Sequence, residues 1–214
     1  MPIDHETLLG MLTRLKLTAI RDQLDTLLDE AAGRELSLRE ALGFLSVNVA
    51  RKDERRVEMA TKIAHFPTVR DLDGFDFAAQ PSLDRTQIRE LAVCRWVAHG
   101  AALLLLGPPG VGKTHLAIAL GREAIRQGYS VLFTAAPALV AALVKAHADG
   151  RLEERLGFYA KPKLLIVDEL GYLPFEPSAA HLFFQLVSRR YERGSMLITS
   201  NWGASGFVET FGCG

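Results

Sequence analysis

The stretch Gly107-Pro108-Pro109-Gly110-Val111-Gly112-Lys113-Thr114-His115 carries the most specific chemistry in this 214-residue chain. Its spacing, G-x-x-x-x-G-K-T, is that of a loop that cradles the phosphates of a nucleoside triphosphate. An apolar run precedes it and a helical pattern follows, so backbone amides and a helix N-terminus are aimed at phosphate. Gly110 and Gly112 let the backbone curl close to the phosphates with no side chain in the way. Lys113 is expected to pair with the β- and γ-phosphates and the Thr114 hydroxyl to ligate Mg²⁺. His115 has no evident carboxylate partner in sequence and is expected only to lie near the nucleotide.

LLIVDE, residues 164–169, supplies the second half of such a site. A buried strand that ends in Asp168 places a carboxylate at the carboxyl edge of the sheet, beside the phosphate loop. Asp168 is expected in the Mg²⁺ shell, and Glu169 is placed to polarise a water for attack on the γ-phosphate. The run Thr199-Ser200-Asn201 closes another strand, where Asn201 either reaches the attacking water or forms a turn.

These residues need a scaffold, and the apolar patterning describes one. LLLL (103–106), SVLFT (130–134), LLIVD (164–168) and MLITS (196–200) are short apolar runs with little alternation. Runs of that kind fit strands covered on both faces in a parallel sheet. Helical patterns at 113–127, 137–148 and 178–193 lie between them, which predicts an α/β fold. Upstream, residues 4–32 read as one helix by the three- and four-residue recurrence of Leu8, Leu12, Leu15, Leu24, Leu27, Leu28 and Ala31. A second helix opens at a Ser37–Glu40 capping box and runs toward Pro67. Residues 68–82 read as a junction, in which Phe75 and Phe77 are expected to pack, and a further helix runs from Ser82 to about Gly100.

Lys plus Arg and Asp plus Glu balance at 25 each, so no global basic field points to nucleic acid. A local basic face is still compatible with that balance. RKDERR (51–56) mixes signs and reads as a solvated face, whereas Arg189, Arg190 and Arg193 in SRRYERG are candidates for phosphate or a neighbouring subunit's nucleotide. Cys94 and Cys213 are too few and too separated for a zinc site or disulfide scaffold, and Cys94 reads as a small core residue. The N-terminus lacks a leader pattern and no apolar run approaches membrane-spanning length, so a cytoplasmic protein without membrane partners is expected.

GPPGVGKTHLAIALG, followed by LLIVDELGYLPFEPSAAHLFFQLVSRRYERGSMLITSN, closely resembles the IstB proteins, helper ATPases of a bacterial insertion-sequence family related to the DnaC helicase loaders within the AAA+ class. GYLPF, residues 171–175, discriminates more than the generic loop does. The similarity reaches from about residue 8 to 201 and includes FDFAAQPSLDRTQIRELA. It implies a P-loop NTPase of the AAA+, ASCE type with the phosphate-loop strand placed centrally in its parallel sheet. A small N-terminal helical domain over 1–75 and an ATPase core over 76–214 complete that expectation. It also implies ATP and Mg²⁺ as cofactors, duplex DNA and a cognate transposase as partners, and an ATP-dependent homo-oligomer. Lys113, Thr114, Asp168, Glu169 and Asn201 match the family's phosphate-loop, magnesium, catalytic and sensor positions.

One departure stands out. The family continues into a helical lid bearing arginines, whereas this chain reads WGASGFVETFGCG after Asn201. The resemblance therefore implies a missing lid, as in a frameshifted or early-ended copy, and ATP bound better than it is turned over. A DnaC-like helicase loader and an inactive nucleotide-binding remnant are the alternative readings.

Overall fold

The computed structural model describes residues 4–14, 18–21, 24–34, 36–170 and 177–201. The GYLPF segment and the residues after Asn201 lie outside them. The chain forms two compact units, Met1–Glu58 and Met59–Gly214. Residues 59–75, expected to close the helical domain, fall in the second unit.

The first unit contains α1 (His5–Arg14), α2 (Thr18–Arg21), α3 (Leu24–Gly33) and the opening of α4 (Leu38–Ile63). The single helix expected over 4–32 does not form. His5 Nδ1 lies 3.5 Å from Asp25 Oδ1, whereas a continuous helix would separate residues twenty apart by about 30 Å. The chain folds back instead, and Leu12, Leu24, Leu27 and Ala31 are buried. An apolar stripe of helical period says which face wants cover, and a fold-back covers it within the unit. The Ser37–Glu40 capping box is present. Ser37 N donates to Glu40 Oε2 at 2.9 Å and Glu40 N donates to Ser37 Oγ at 3.4 Å. The Ser37 hydroxyl, which donates to Glu40 Oε2 at 2.5 Å, and after it the Ser37 N–H hold the Glu40 carboxyl below the usual glutamate range.

In the second unit the helix expected over 82–100 divides into α5 (Arg85–Ala92), capped by Asp84 through Thr86 N at 2.7 Å, and α6 (Arg95–Ala98). Cys94 causes the break: it adopts a left-handed backbone, φ +58°. That conformation costs about 1–2 kcal/mol. It is offset by complete burial of Cys94 and Val97. Burial also raises the Cys94 thiol pKa to about 11, with the charge of Glu123 adding to the rise.

Four parallel strands follow: β1 (Ala102–Leu106), β2 (Val131–Ala135), β3 (Leu164–Leu170) and β4 (Ser195–Ser200). Their order across the sheet is β1-β4-β3-β2. The phosphate-loop strand is thus an edge strand among the described residues, not a central one. Its pattern agrees, since Leu104 is 41% exposed while Leu164 to Val167 of β3 are all buried.

Helices cover both faces. Leu165, Val167, Met196 and Ile198 pack against α8 (Ala136–Ala148), α9 (Leu152–Ala160) and α10 (Pro177–Arg190). On the opposite face lies α7 (Lys113–Arg126), held so close that a Cβ on Gly121 would stand 2.6 Å from Ile166 Cδ1. That approach brings the N-terminus of α7 beside the end of β3. α9 falls outside the helical patterns expected between the strands, although Leu152, Leu156 and Tyr159 carry a helical spacing and the last two are buried.

Candidate nucleotide-binding site

β1 carries the chain into Gly107, and the loop closes at Gly112, where α7 begins. Gly112 needs to be glycine on two grounds. Its φ is +88°, and a Cβ there would lie 2.6 Å from Phe75 Cε2. Lys113 lies folded over its own loop, with Nζ donating to the carbonyls of Gly107 and Pro108, both at 2.7 Å. Burial holds its pKa below the usual lysine value, against the opposing pull of Asp168.

Asp168, 6% exposed, sits at the centre of a hydroxyl network. Thr114 Oγ1 is 3.0 Å from both of its carboxylate oxygens. Thr199 Oγ1 donates to Oδ1 at 2.5 Å and accepts from Glu169 N at 2.9 Å. Glu169 has φ +62°, at the point where the β3–β4 register shifts between Val167 and Leu170. A non-glycine residue in that region of backbone space is rare and clusters at functional sites.

Pro109, Gly110, Gly112, Lys113, Thr114, Glu169, Thr199 and Asn201 line one cleft of about 290 Å³, with Asp168 bonded behind it through Thr114 and Thr199. Gly107, Pro108 and Val111 line an adjoining cleft of about 400 Å³ whose apolar wall includes Leu83, Leu91, Leu105 and Leu116. The structure therefore gathers the loop, the acidic pair and Asn201. His115 lines neither cleft. Its Nε2 meets the Asp71 carbonyl at 2.8 Å and its ring meets Phe75 edge-on at 5.3 Å. Phe75 and Phe77 pack together, with ring centroids 4.9 Å apart, inside the second unit and beside the phosphate loop.

The donor set suits a hard divalent cation. Thr114 and Asp168 offer only oxygen atoms, and among the described residues no cluster of three or more His, Cys, Asp or Glu forms a protein cage. Mg²⁺ is commonly held by one or two carboxylates together with waters and substrate phosphates, so a hydroxyl–carboxylate pair at a phosphate loop fits it.

The arginines of SRRYERG divide in a way their spacing did not reveal. Arg190 is 1% exposed, and its guanidinium donates to the carbonyls of Tyr159, Pro162, Lys163 and Ser195. It cannot meet DNA phosphate or a neighbour's nucleotide. Burial lowers its pKa to about 10. Arg189 pairs with Glu153 at 2.7 Å, and Arg193 is exposed. In RKDERR, Arg56 pairs with Asp53 at 3.4 Å, in keeping with a solvated mixed-charge face. Among the described residues no helix is long and apolar enough to cross a membrane.

A parallel sheet with helices on both faces, a phosphate loop after its first strand and Asp-Glu in its third defines the α/β fold of a P-loop NTPase. The solved DnaC helicase loader shares this fold with a TM-score of 0.56 at 23% identity, covering 70% of this chain and 87% of that one. The family model for IstB-like ATP binding protein matches residues 10–213, and the chain belongs to that family. Similar relatives include an IS21 insertion-sequence protein of Pseudomonas aeruginosa, 44% identical over 203 residues that span 94% of this chain and 77% of the relative. An IS5376 insertion-sequence protein of Geobacillus stearothermophilus is 39% identical over 196 residues, 89% of this chain and 78% of the relative. The names of both carry an inferred ATP-binding designation.

Proposed function

We propose that this ATP-binding protein is a cytoplasmic ATPase that helps DNA transposition, assembling as a homo-oligomer on duplex DNA and recruiting or activating a transposase. The observation that carries the ATPase reading is the convergence of Lys113, Thr114, Glu169 and Asn201 on one cleft. Lys113 exchanges its two carbonyl acceptors for β- and γ-phosphate oxygens, which are stronger partners because both sides are charged. Thr114 and Asp168 hold Mg²⁺, which when bound supplies neutralising charge to the phosphates. Glu169 orients and deprotonates the attacking water, and Asn201 donates to that water or to the γ-phosphate from the other side. The apolar wall of the adjoining cleft, which includes Leu83, Leu91, Leu105 and Leu116, would suit an adenine ring.

The DNA reading is supported by the insertion-sequence names of the relatives and by local cations. Lys145, Arg151 and Arg155 line a surface cleft at the ends of α8 and α9 together with Asp149 and Glu154. Arg151 is engaged by Glu154 at 2.8 Å, so Lys145, Arg155 and the exposed Arg193 are the cations offered to phosphate.

Three measurements test this reading. Glu169→Gln is expected to bind ATP with nearly parental affinity while single-turnover hydrolysis falls by about 10²–10⁴. Equal hydrolysis by both proteins removes Glu169 from the chemistry. Sedimentation with ATP and duplex DNA is expected to show a larger assembly than either ligand yields alone. DNA affinity is expected to fall steeply between low and moderate salt as counterions are released. Salt-independent binding, or none at low salt with ATP, turns the assignment toward a helicase loader or a remnant.

A further inference from the structure

We infer that Thr199 is the positioning residue for both carboxylates of the site, an assignment that rests on the ATPase reading above. Thr199 stands in β4, 1% exposed, one strand across from the acidic pair. Its single hydroxyl serves the two neighbours at once. The hydrogen goes to Asp168 Oδ1 at 2.5 Å, and a lone pair receives the backbone N–H of Glu169 at 2.9 Å.

Each bond does a different task. The first leaves Asp168 held from two sides, by Thr114 and by Thr199, so its carboxylate plane is set before any cation arrives. Partners that orient a metal-binding carboxylate in this way commonly affect metal affinity or activity by about 10–100-fold. The second bond satisfies the Glu169 N–H where the strand register shifts, between the pairs Val167–Ile198 and Leu170–Ser200. A side-chain oxygen stands in at the irregularity, and Glu169 holds φ +62° there. The carboxylate of Glu169 follows from that backbone: it leaves an otherwise buried strand and faces the cleft. Thr199 touches no reacting atom in this role; it acts through Asp168 and Glu169.

Valine has the shape of threonine without the hydroxyl, so Thr199→Val removes both bonds with little change in packing, whereas Thr199→Ser keeps them. Affinity for ATP and for its non-hydrolysable β,γ-methylene analogue is measured with saturating Mg²⁺ and with EDTA, beside single-turnover hydrolysis and thermal unfolding. Thr199→Val is expected to keep its affinity in EDTA and to lose about 10–100-fold of the gain that Mg²⁺ confers. Hydrolysis falls with that gain, and Thr199→Ser restores most of both. The inference is overturned if Thr199→Val keeps the parental Mg²⁺ gain, if its affinity falls equally with and without Mg²⁺, or if Thr199→Ser falls as far as Thr199→Val. A parent protein that shows no Mg²⁺-dependent gain overturns the ATPase reading itself. If Thr199→Val lacks the native thermal transition, Thr199→Ala carries the same comparison.

Discussion

The ring of Phe75 occupies the space that a β-carbon on Gly112 would need, with Cε2 2.6 Å from that position. The phosphate loop is therefore closed by an aromatic side chain from the segment before α5, more than thirty residues upstream in the chain. The same ring meets His115, the second residue after Lys113, and His115 in turn holds the Asp71 carbonyl. Arg122, further along α7, donates to the Arg70 carbonyl at 3.0 Å. Segment 70–77 and the first turns of α7 are thus one packed unit, and the loop's shape depends on both.

Gly112→Ala is expected to distort the loop and abolish measurable ATP binding. The left-handed backbone costs about 1–2 kcal/mol for any side chain, and the Phe75 contact adds to it. Phe75→Ala relieves only the contact, so the double variant should not recover parental affinity. Calorimetric titration with Mg-ATP checks this; parental binding by Gly112→Ala would show that the loop does not need this geometry.

Lys113→Ala is expected to weaken Mg-ATP binding by at least about tenfold, since a hydrogen bond to a charged group contributes about 1.5–3 kcal/mol. Stability of the free protein should change little, because Lys113 is bonded only to carbonyls of its own loop among the contacts described. Equal ATP affinity in the two proteins would remove the phosphate-loop assignment.

Arg190→Met is expected to act on folding rather than on DNA. It leaves the carbonyls of Tyr159, Pro162, Lys163 and Ser195 without their donor, and leaving a buried acceptor unsatisfied costs about 1–3 kcal/mol. Arg193→Ala, at an exposed position, should stay within about 0.5 kcal/mol of the parent. Urea unfolding of both variants checks the contrast, and an Arg190→Met protein as stable as Arg193→Ala would contradict it.

Cys94 is expected to resist alkylation in the native protein. Its thiol is fully buried and its pKa is raised from 9.0 to about 11, so thiolate forms only as the pH approaches that value. Because the folded pKa lies above the unfolded one, the stabilisation is complete below pH 9.0 and is lost as pH rises toward 11. In a Cys213→Ser background, iodoacetamide at pH 8 should modify the protein only after urea is added. Rapid labelling without urea would place the thiol at the surface.

The sequence by itself determined the chemistry that depends on local spacing. A glycine loop between an apolar run and a helical pattern is legible because its phosphate-facing atoms are backbone amides of consecutive residues. The four strands are legible for a similar reason: LLIVD is covered on both faces, so every position is apolar up to the aspartate. The capping box at Ser37 and Glu40 is equally local. Tertiary structure decided everything that required a partner from elsewhere in the chain. Helical periodicity marks an apolar face but not what covers it, so the fold-back that brings His5 to Asp25 left no trace in the pattern. A basic residue reads as a surface cation until carbonyls some thirty residues away enclose it, as they do Arg190. Thr199 is one more β-branched strand residue in sequence. It acquires its place between Asp168 and Glu169 only because β4 lies beside β3, and strand order is set by the packing of whole elements rather than by the residues within one.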